Sequence, residues 1–318
     1  MLKTGIALLI ALLTIGGVEA QETVRVGMPG RGLTFLPAEF GQAKGFYQEE
    51  GVTLDLTRVA ADVSFPALAS GNLDFVLTVV EGMRANLKGL APVKIVGGMI
   101  NAPEWFVYGR ADIKDLKDLK GKAIGAGSPK GEMSLLTAFA LKKVGVDAEK
   151  REVSFLSIPD TPARLAALQA GKVAAAAIAS PGHLRAKKLG FKELASLGEM
   201  IPLPVAAWST TEKYIKEKPE QIKKILRAYL KSVQYILRNR GEVAAWVAKN
   251  FNLDPDDALV AVTLEEKYYS RDGTIPDEGL RVALQLLKES GEIDNTDYPL
   301  SRFVDFTLLK EVQKEVKK

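Results

Sequence analysis

The feature that most constrains this chain is an internal repeat with a period of about one hundred residues. In the first copy a strand over Val24–Met28 leads into the glycine-rich loop Pro29–Phe35 and a helix from Pro37 to about Glu50. A strand over Val52–Leu56, a helix over Phe65–Ser70, a strand over Leu73–Val79 and a helix opened by Glu81-Gly82 follow. The second copy repeats the order. It has a strand over Ala123–Ala126, the loop Gly127–Gly131, a helix to about Val144 and a strand over Glu152–Leu156. A helix over Pro162–Ala170, a strand over Val173–Ile178 and a helix opened by Ser180-Pro181-Gly182 complete it. Gly27 answers Gly125, Gly71 answers Gly171, and Gly89 answers Gly190; the apolar segments Trp105–Tyr108 and Val205–Trp208 answer each other too. Strands that alternate with helices pair in parallel through right-handed crossovers. Two such units in succession predict two lobes with a cleft between them. Ligands of open α/β sheets sit beyond the carboxyl ends of the strands, where these loops lie.

Within the second copy, Gly121–Leu136 reads as a buried strand, a glycine-rich turn and a helix opening near Glu132. Such a turn points backbone N–H groups, with the positive end of the helix dipole behind them, at an anionic or polar oxygen. Pro129 stiffens the turn, and Gly127 and Gly131 allow close backbone approach. Many turns of this composition bind nothing, so the weight comes from its repetition. From Thr211 onward only helical spacing is found, over 220–240, 242–251, 255–269, 278–290 and about 303–317. These helices lack a sheet of their own and are expected to pack on the first lobe. The expected fold class is therefore α/β, two βαβ lobes with mixed, mostly parallel sheets around a central cleft. The expected division is a signal peptide over 1–20, a discontinuous first lobe over 21–105 and 209–318, and a second lobe over 106–208. The chain would cross between lobes near 104–109 and 205–210.

The start of the chain carries Lys3, then an apolar run over Gly5–Leu13 too short to span a bilayer, then Val18-Glu19-Ala20. That is the pattern of a cleavable export signal, and with no cysteine near the cleavage point a lipoprotein is not expected; a periplasmic location is. Removing 1–20 leaves 298 of 318 residues, enough for two cores at 47% apolar composition. The net charge of +4 is unchanged by the removal, because Lys3 and Glu19 cancel. Charges of both signs are interspersed, and no basic run marks a nucleic-acid partner. With 0 Cys there is neither a disulfide nor a thiol nucleophile. With 1 His, a zinc site would have to combine His183 with carboxylates alone, and a Ser-His-Asp arrangement would have to use the same residue. No Gly-x-Ser-x-Gly elbow is present. No catalytic residue, metal ligand or cofactor is expected.

Four segments carry a family likeness: Gly45-Phe46-Tyr47-Gln48-Glu49-Glu50-Gly51-Val52, Ala67–Phe75 (ALASGNLDF), Leu116–Lys122 (LKDLKGK) and Leu165–Val173 (LAALQAGKV). With them the chain resembles the type II periplasmic solute-binding proteins of ABC transporters, in the branch serving nitrate, sulfonates, taurine and bicarbonate. The likeness extends over nearly all of the chain after residue 20. It implies a non-enzymatic, monomeric protein that captures a small solute, closes by hinge motion and docks on a membrane ABC permease. The related thiamine-pyrimidine synthases use a cysteine-rich segment that this chain lacks. An enzyme of that or of futalosine-pathway type is one alternative, and a sensor module presenting solute to a receptor is another.

The candidate ligand contacts are loop residues after the strands. In the first copy they are Leu33, Thr34, Phe35, Asp62, Phe65 and Glu81; in the second they are Ser128, Lys130, Gly131, Glu132, Asp160, Thr161, Ser180 and His183. Thr34 and Ser128 can bond an oxyanion. Phe35, Phe65, Trp105 and Trp208 can wall an apolar body, with Phe65 and Trp105 equally suited to a core. Glu81 either selects an amine or hydroxyl or caps a helix; Arg31 and Lys130 either attract an anion or are solvated. His183 reads as a polar or partly buried histidine at the cleft-side start of a helix. Paired helix starts favour an anion, whereas Glu81, Glu132 and Asp160 favour hydroxyl or amine groups. A small organic acid or sulfonate with an apolar part satisfies both.

Overall fold

The computed structural model describes residues 22–30, 32–127 and 131–316. The expected signal segment lies outside these residues. Ten strands follow in chain order: β1 (Glu22–Met28), β2 (Val52–Arg58), β3 (Phe75–Val76), β4 (Val93–Ile100), β5 (Trp105–Gly109), β6 (Ala123–Ala126), β7 (Ser154–Ser157), β8 (Ala175–Ala179), β9 (Lys192–Ser196) and β10 (Ala206–Thr211). They form two five-stranded sheets, ordered β2-β1-β3-β10-β4 and β7-β6-β8-β5-β9. The three strands of each βαβ copy pair in parallel, with Val24 opposite Leu54 and Val26 opposite Phe75 in the first sheet. Ile124 lies opposite both Phe155 and Ala175 in the second. In each sheet one further strand, β10 in the first and β5 in the second, runs antiparallel to both of its neighbours, β3 and β4 or β8 and β9. Both sheets are thus mixed, as expected.

The two sheets have the same order because each copy exchanges one strand. β5 leaves the first copy to pair with β8 and β9, and β10 returns to pair with β3 and β4. Two connections therefore join the sheets, 101–104 and the stretch after β9 that contains the helix Leu197–Met200. The first-sheet strand begins at Ala206, three residues before the expected boundary at 209, and Trp105 already belongs to the second sheet. β4 and β9 were not anticipated. They occupy matching edges, and the Val93–Ile100 run was apolar enough to be seen.

Local chemistry explains the elements. In β1, Val24 and Val26 point into the core while Arg25 points out and pairs with Asp74, 2.7 Å from Nη2 to Oδ1. Gly71 and Gly171 (φ 76° and 68°) end equivalent helices in the left-handed region, where a Cβ is strained. The helix Pro219–Arg238 opens on a proline that needs no N–H partner. It buries Ile222, Ile225, Leu226, Tyr229, Leu230 and Val233 at helical spacing. That face packs on the helices Leu36–Ala43 and Phe46–Glu49 and on β2, while Val304 bridges to Ile95 of β4. The C-terminal helices thus cover the first sheet. They also reach the second, through a Lys188–Asp257 ion pair of 2.5 Å and through Tyr268 against Gly198. Among the described residues no helix is long and apolar enough to cross a membrane.

Candidate functional site

A cavity of about 380 Å³ opens between the carboxyl ends of the two sheets. The first sheet contributes Gly30, Gly32, Thr34 and Phe35 from the loop after β1, and Thr78 and Glu81 from the segment after β3. The second contributes Glu132 and Met133, which open the helix after β6, then Arg164 from the helix after β7, then Ala179 and Ser180 at the end of β8. Trp105 and Val205 stand beside the two connections. The volume lies within the range of small-molecule sites.

Glu81 is in the first turn of the helix Val80–Leu87, and Glu132 is the first residue of the helix Glu132–Lys143. A helix start favours carboxylate charge by roughly 0.3–1 kcal/mol. Burial works against it and prevails: both carboxyls are held above the usual carboxylate range, first by loss of water. Glu132 is raised well above it, with the charges of Glu81 and Glu104 adding to burial and Arg84 opposing. Arg84 itself is engaged by Glu292, 2.6 Å from Nε to Oε2.

Behind this pair lies a second one. Glu104, beside β5, is 2% exposed and accepts a hydrogen bond from Thr34 Oγ1 at 3.2 Å. Glu265, on the helix Pro255–Glu265, is fully buried and adjacent to Glu104. Burial, then the charge of Glu104, pushes Glu265 well above the ordinary range, and burial raises Glu104 as well. Glu104 Oε1 and both carboxyl oxygens of Glu265 are buried without a hydrogen-bond partner among the described residues.

Arg164 is buried against the cavity wall, and four of its five N–H donors are occupied by the protein. Nε bonds the Ile158 carbonyl at 3.0 Å, Nη1 the Ala177 carbonyl and Met133 Sδ at 2.7 Å, and Nη2 the Pro159 carbonyl at 3.1 Å. It ties the loop after β7 to β8. Thr78 is 3% exposed, and its Oγ1 has no hydrogen-bond partner among the described residues.

Of the residues singled out in the sequence, Thr34, Phe35, Glu81, Trp105, Glu132 and Ser180 come together at the cavity. Others stand elsewhere. Leu33 is fully buried, because the 3₁₀ turn Leu33–Phe35 directs it into the core. Phe65 packs with Leu68, Leu73 and Val76. Trp208 is fully buried in β10 between Phe75 and Tyr229. His183 is buried and stacked on Phe106, 4.5 Å between ring centroids. Asp160 is exposed and caps a helix, accepting from the Ala163 N–H at 2.8 Å. Thr161 sits against Gly182. Gly131 is the N-cap of the Glu132 helix and does not line the cavity. Ser128, Lys130 and the side chain of Asp62 lie outside the described residues. Thr78, Glu104, Met133, Arg164 and Val205 were not anticipated. Arg164 had a signal, a cation on the apolar face of Leu165 and Leu168, and so had Glu104, a carboxylate beside the apolar run Trp105–Tyr108. Among the described residues no group of His, Asp and Glu is arranged to hold a metal ion.

Two similar α/β lobes with a lined cavity at the strand ends define a two-lobed, ligand-cleft protein. The chain belongs to the NMT1/THI5-like family, whose model matches residues 34–242. Among known sequences it is similar to YtlA of Bacillus subtilis (strain 168), named as a candidate binding protein, at 22% identity over 98% of this chain and 96% of that one. Among solved structures it resembles the periplasmic nitrate-binding protein NrtA of Synechocystis PCC 6803, with a TM-score of 0.77 and 15% identity over 94% of this chain and 90% of that one. It also resembles the alkanesulfonate-binding protein SsuA of Xanthomonas axonopodis pv. citri bound to MOPS, with a TM-score of 0.72 and 16% identity over 89% and 98%.

Proposed function

We propose that this protein is an exported, monomeric solute-binding protein that captures a small organic molecule between its two lobes and delivers it to an ABC permease. The observation that carries the reading is the cavity itself, built from the carboxyl ends of both sheets and flanked by the two connections. The printed names of YtlA, NrtA and SsuA, all binding proteins and two of them for small anions, support it. The name of NrtA, a periplasmic protein, with the Lys3–Ala20 pattern, supports a periplasmic location. An enzyme on the same scaffold has less support: the lone histidine is stacked in the second core, and no thiol exists. The lobes, 22–104 with 206–316 and 105–205, would hinge at the connections. A ligand closes them only as far as it binds the closed state better than the open one.

The test is a thermal-shift screen of protein unfolded and refolded to strip carried-over solute, with small-angle scattering on any hit. A ligand at a hundredfold over its dissociation constant adds about 2.7 kcal/mol of stability and a visible rise in melting temperature. Contraction of the scattering envelope with the same ligand is the expected companion. A broad panel with no hit removes the reading.

A further inference from the structure

The polar groups of the cavity are matched to a ligand of one sign. Its carboxyls come from opposite lobes, Glu81 after β3 and Glu132 at the start of the helix after β6. Glu132 Oε1 is out of contact with solvent and has no hydrogen-bond partner among the described residues. Thr78 Oγ1, buried in the same wall, is a further unused group. The one cation lining the cavity among the described residues, Arg164, spends four of its five N–H groups on backbone carbonyls and Met133. We propose that the cleft takes a small organic cation, a protonated amine or amidine with an apolar body, held between Glu81 and Glu132 with its apolar part against Trp105 and Phe35. This rests on the solute-binding reading and gives that reading its solute class.

The charge arrangement explains why such a ligand would also close the lobes. Without it, burial and the nearby carboxyls hold Glu81 and Glu132 toward their neutral forms, with Arg84 opposing. Glu292 holds Arg84 from the outer side, together with Lys88 at 3.0 Å. A cation between the carboxyls lets both ionise and satisfies the free oxygen of Glu132, and it meets both only when the lobes are near. A nitrate or sulfonate at that place would bring acceptor oxygens against two carboxyls, with the hydroxyls of Thr78 and Ser180 as the unpartnered side-chain hydroxyls of the lining among the described residues. The two carboxyls ionise to receive a cation, so cation binding releases protons and tightens as pH rises. Anion binding would require protonated carboxyls, take up protons and weaken as pH rises.

The experiment measures affinity by calorimetry on refolded protein with shape-matched probes: n-butylamine, benzylamine and benzamidine against butanesulfonate, benzoate and nitrate. The expected result is binding of one or more of the cations, tightening between pH 5 and 8 with proton release. Glu81→Gln and Glu132→Gln should each weaken it at least tenfold while the ligand-free melting temperature holds or rises, and Glu132→Asp should restore part of the loss. Binding of the anions but not the cations overturns the inference and leaves the solute-binding reading standing. The inference is overturned equally if Glu132→Gln binds the amine like the unaltered protein. If an anion binds and Arg31→Ala with Lys130→Ala abolishes it, those two loop cations set the ligand's sign instead. Failure of both probe sets, together with the wider panel above, removes the solute-binding reading as well.

Discussion

The two lobes share a frame and differ in their chemistry. Gly89 and Gly190, like Gly71 and Gly171, adopt positive φ at matching turns (66° and 81°), and the sheets have the same order. The residues facing the cleft do not correspond. Glu81 follows β3 where Ser180 follows β8, and Glu104 precedes the exchanged strand β5 where Val205 precedes β10. The lobes also differ in cover. The C-terminal helices lie mainly on the first sheet, whereas the second exposes most of β7 and half of β9. What builds the lobe repeats, and what lines the cleft does not. A repeat in sequence therefore reports fold, and the departures from it report function.

The two tryptophans of the exchanged strands offer the strongest way to break this comparison. Trp208 is enclosed by Tyr47, Phe75 and Tyr229, while Trp105 is half-buried at the cavity. Trp208→Ala should cost about 3–5 kcal/mol, the range for truncating a buried aromatic. Trp105→Ala should cost well under half of that and instead weaken solute binding. Urea denaturation of both variants, beside calorimetry with a bound solute, separates the roles. Equal stability losses would mean that β5 and β10 are equivalent in packing and that Trp105 is core.

This pair also shows what the sequence could reveal. Eight of the ten strands and nearly every helix were legible, because glycine stops and the alternation of apolar runs are local signals; the edge strands β4 and β9 and the return of β10 to the first sheet were not. The carboxyl ends of the strands were legible as a place, and so Thr34, Glu81, Glu132 and Ser180 were found. Facing was not legible. Trp105 opens its apolar run at the cavity, whereas Trp208 lies inside the answering strand and is covered by Tyr229 of the helix Pro219–Arg238, a contact no local pattern shows. The Glu104–Glu265 pair joins residues 161 apart in sequence, and no local pattern announces it. His183 had the opposite fault. It stands at a helix start after a strand, yet its ring is buried and stacked on Phe106 and does not line the cavity.

His183 sharpens the comparison through pH. Burial holds its imidazole down at about 4, with Lys187 adding to the effect and Asp257 opposing it. The unfolded chain takes up the proton near pH 6.5, the folded chain only near 4. The second lobe is therefore stable above pH 6.5 and loses stability as pH falls toward 4, by about 3 kcal/mol for this group. Met83 stands at the matching turn of the first lobe, after Gly82 and buried to 1% exposure, and does not titrate. His183→Met should remove this component of the acid sensitivity. Subtracting the stability of the variant from that of the parent at pH 7, 5.5 and 4.5 isolates the histidine from the carboxyls of the cleft. A difference that does not change with pH would show that the ring is hydrated in solution.

The smallest expected effect concerns two helix starts. The second-lobe helix Thr161–Gln169 is capped by Asp160, whose Oδ1 accepts the Ala163 N–H. Its first-lobe counterpart, Ala61–Ala69, begins after Ala60, which has no side chain to do this. A lost cap costs typically about 1 kcal/mol, and at an exposed position less. Asp160→Ala should therefore lower stability by roughly 0.5–1 kcal/mol and leave solute affinity unchanged. Ala60→Asp should raise stability by no more than a few tenths, because the Val63 N–H already contacts the Ala60 carbonyl at 3.1 Å. Paired denaturation curves test the asymmetry. If Asp160→Ala instead weakened binding severalfold at unchanged stability, Asp160 would reach the ligand in the closed state, and the acidic side of the cleft would extend further into the second lobe than Glu132.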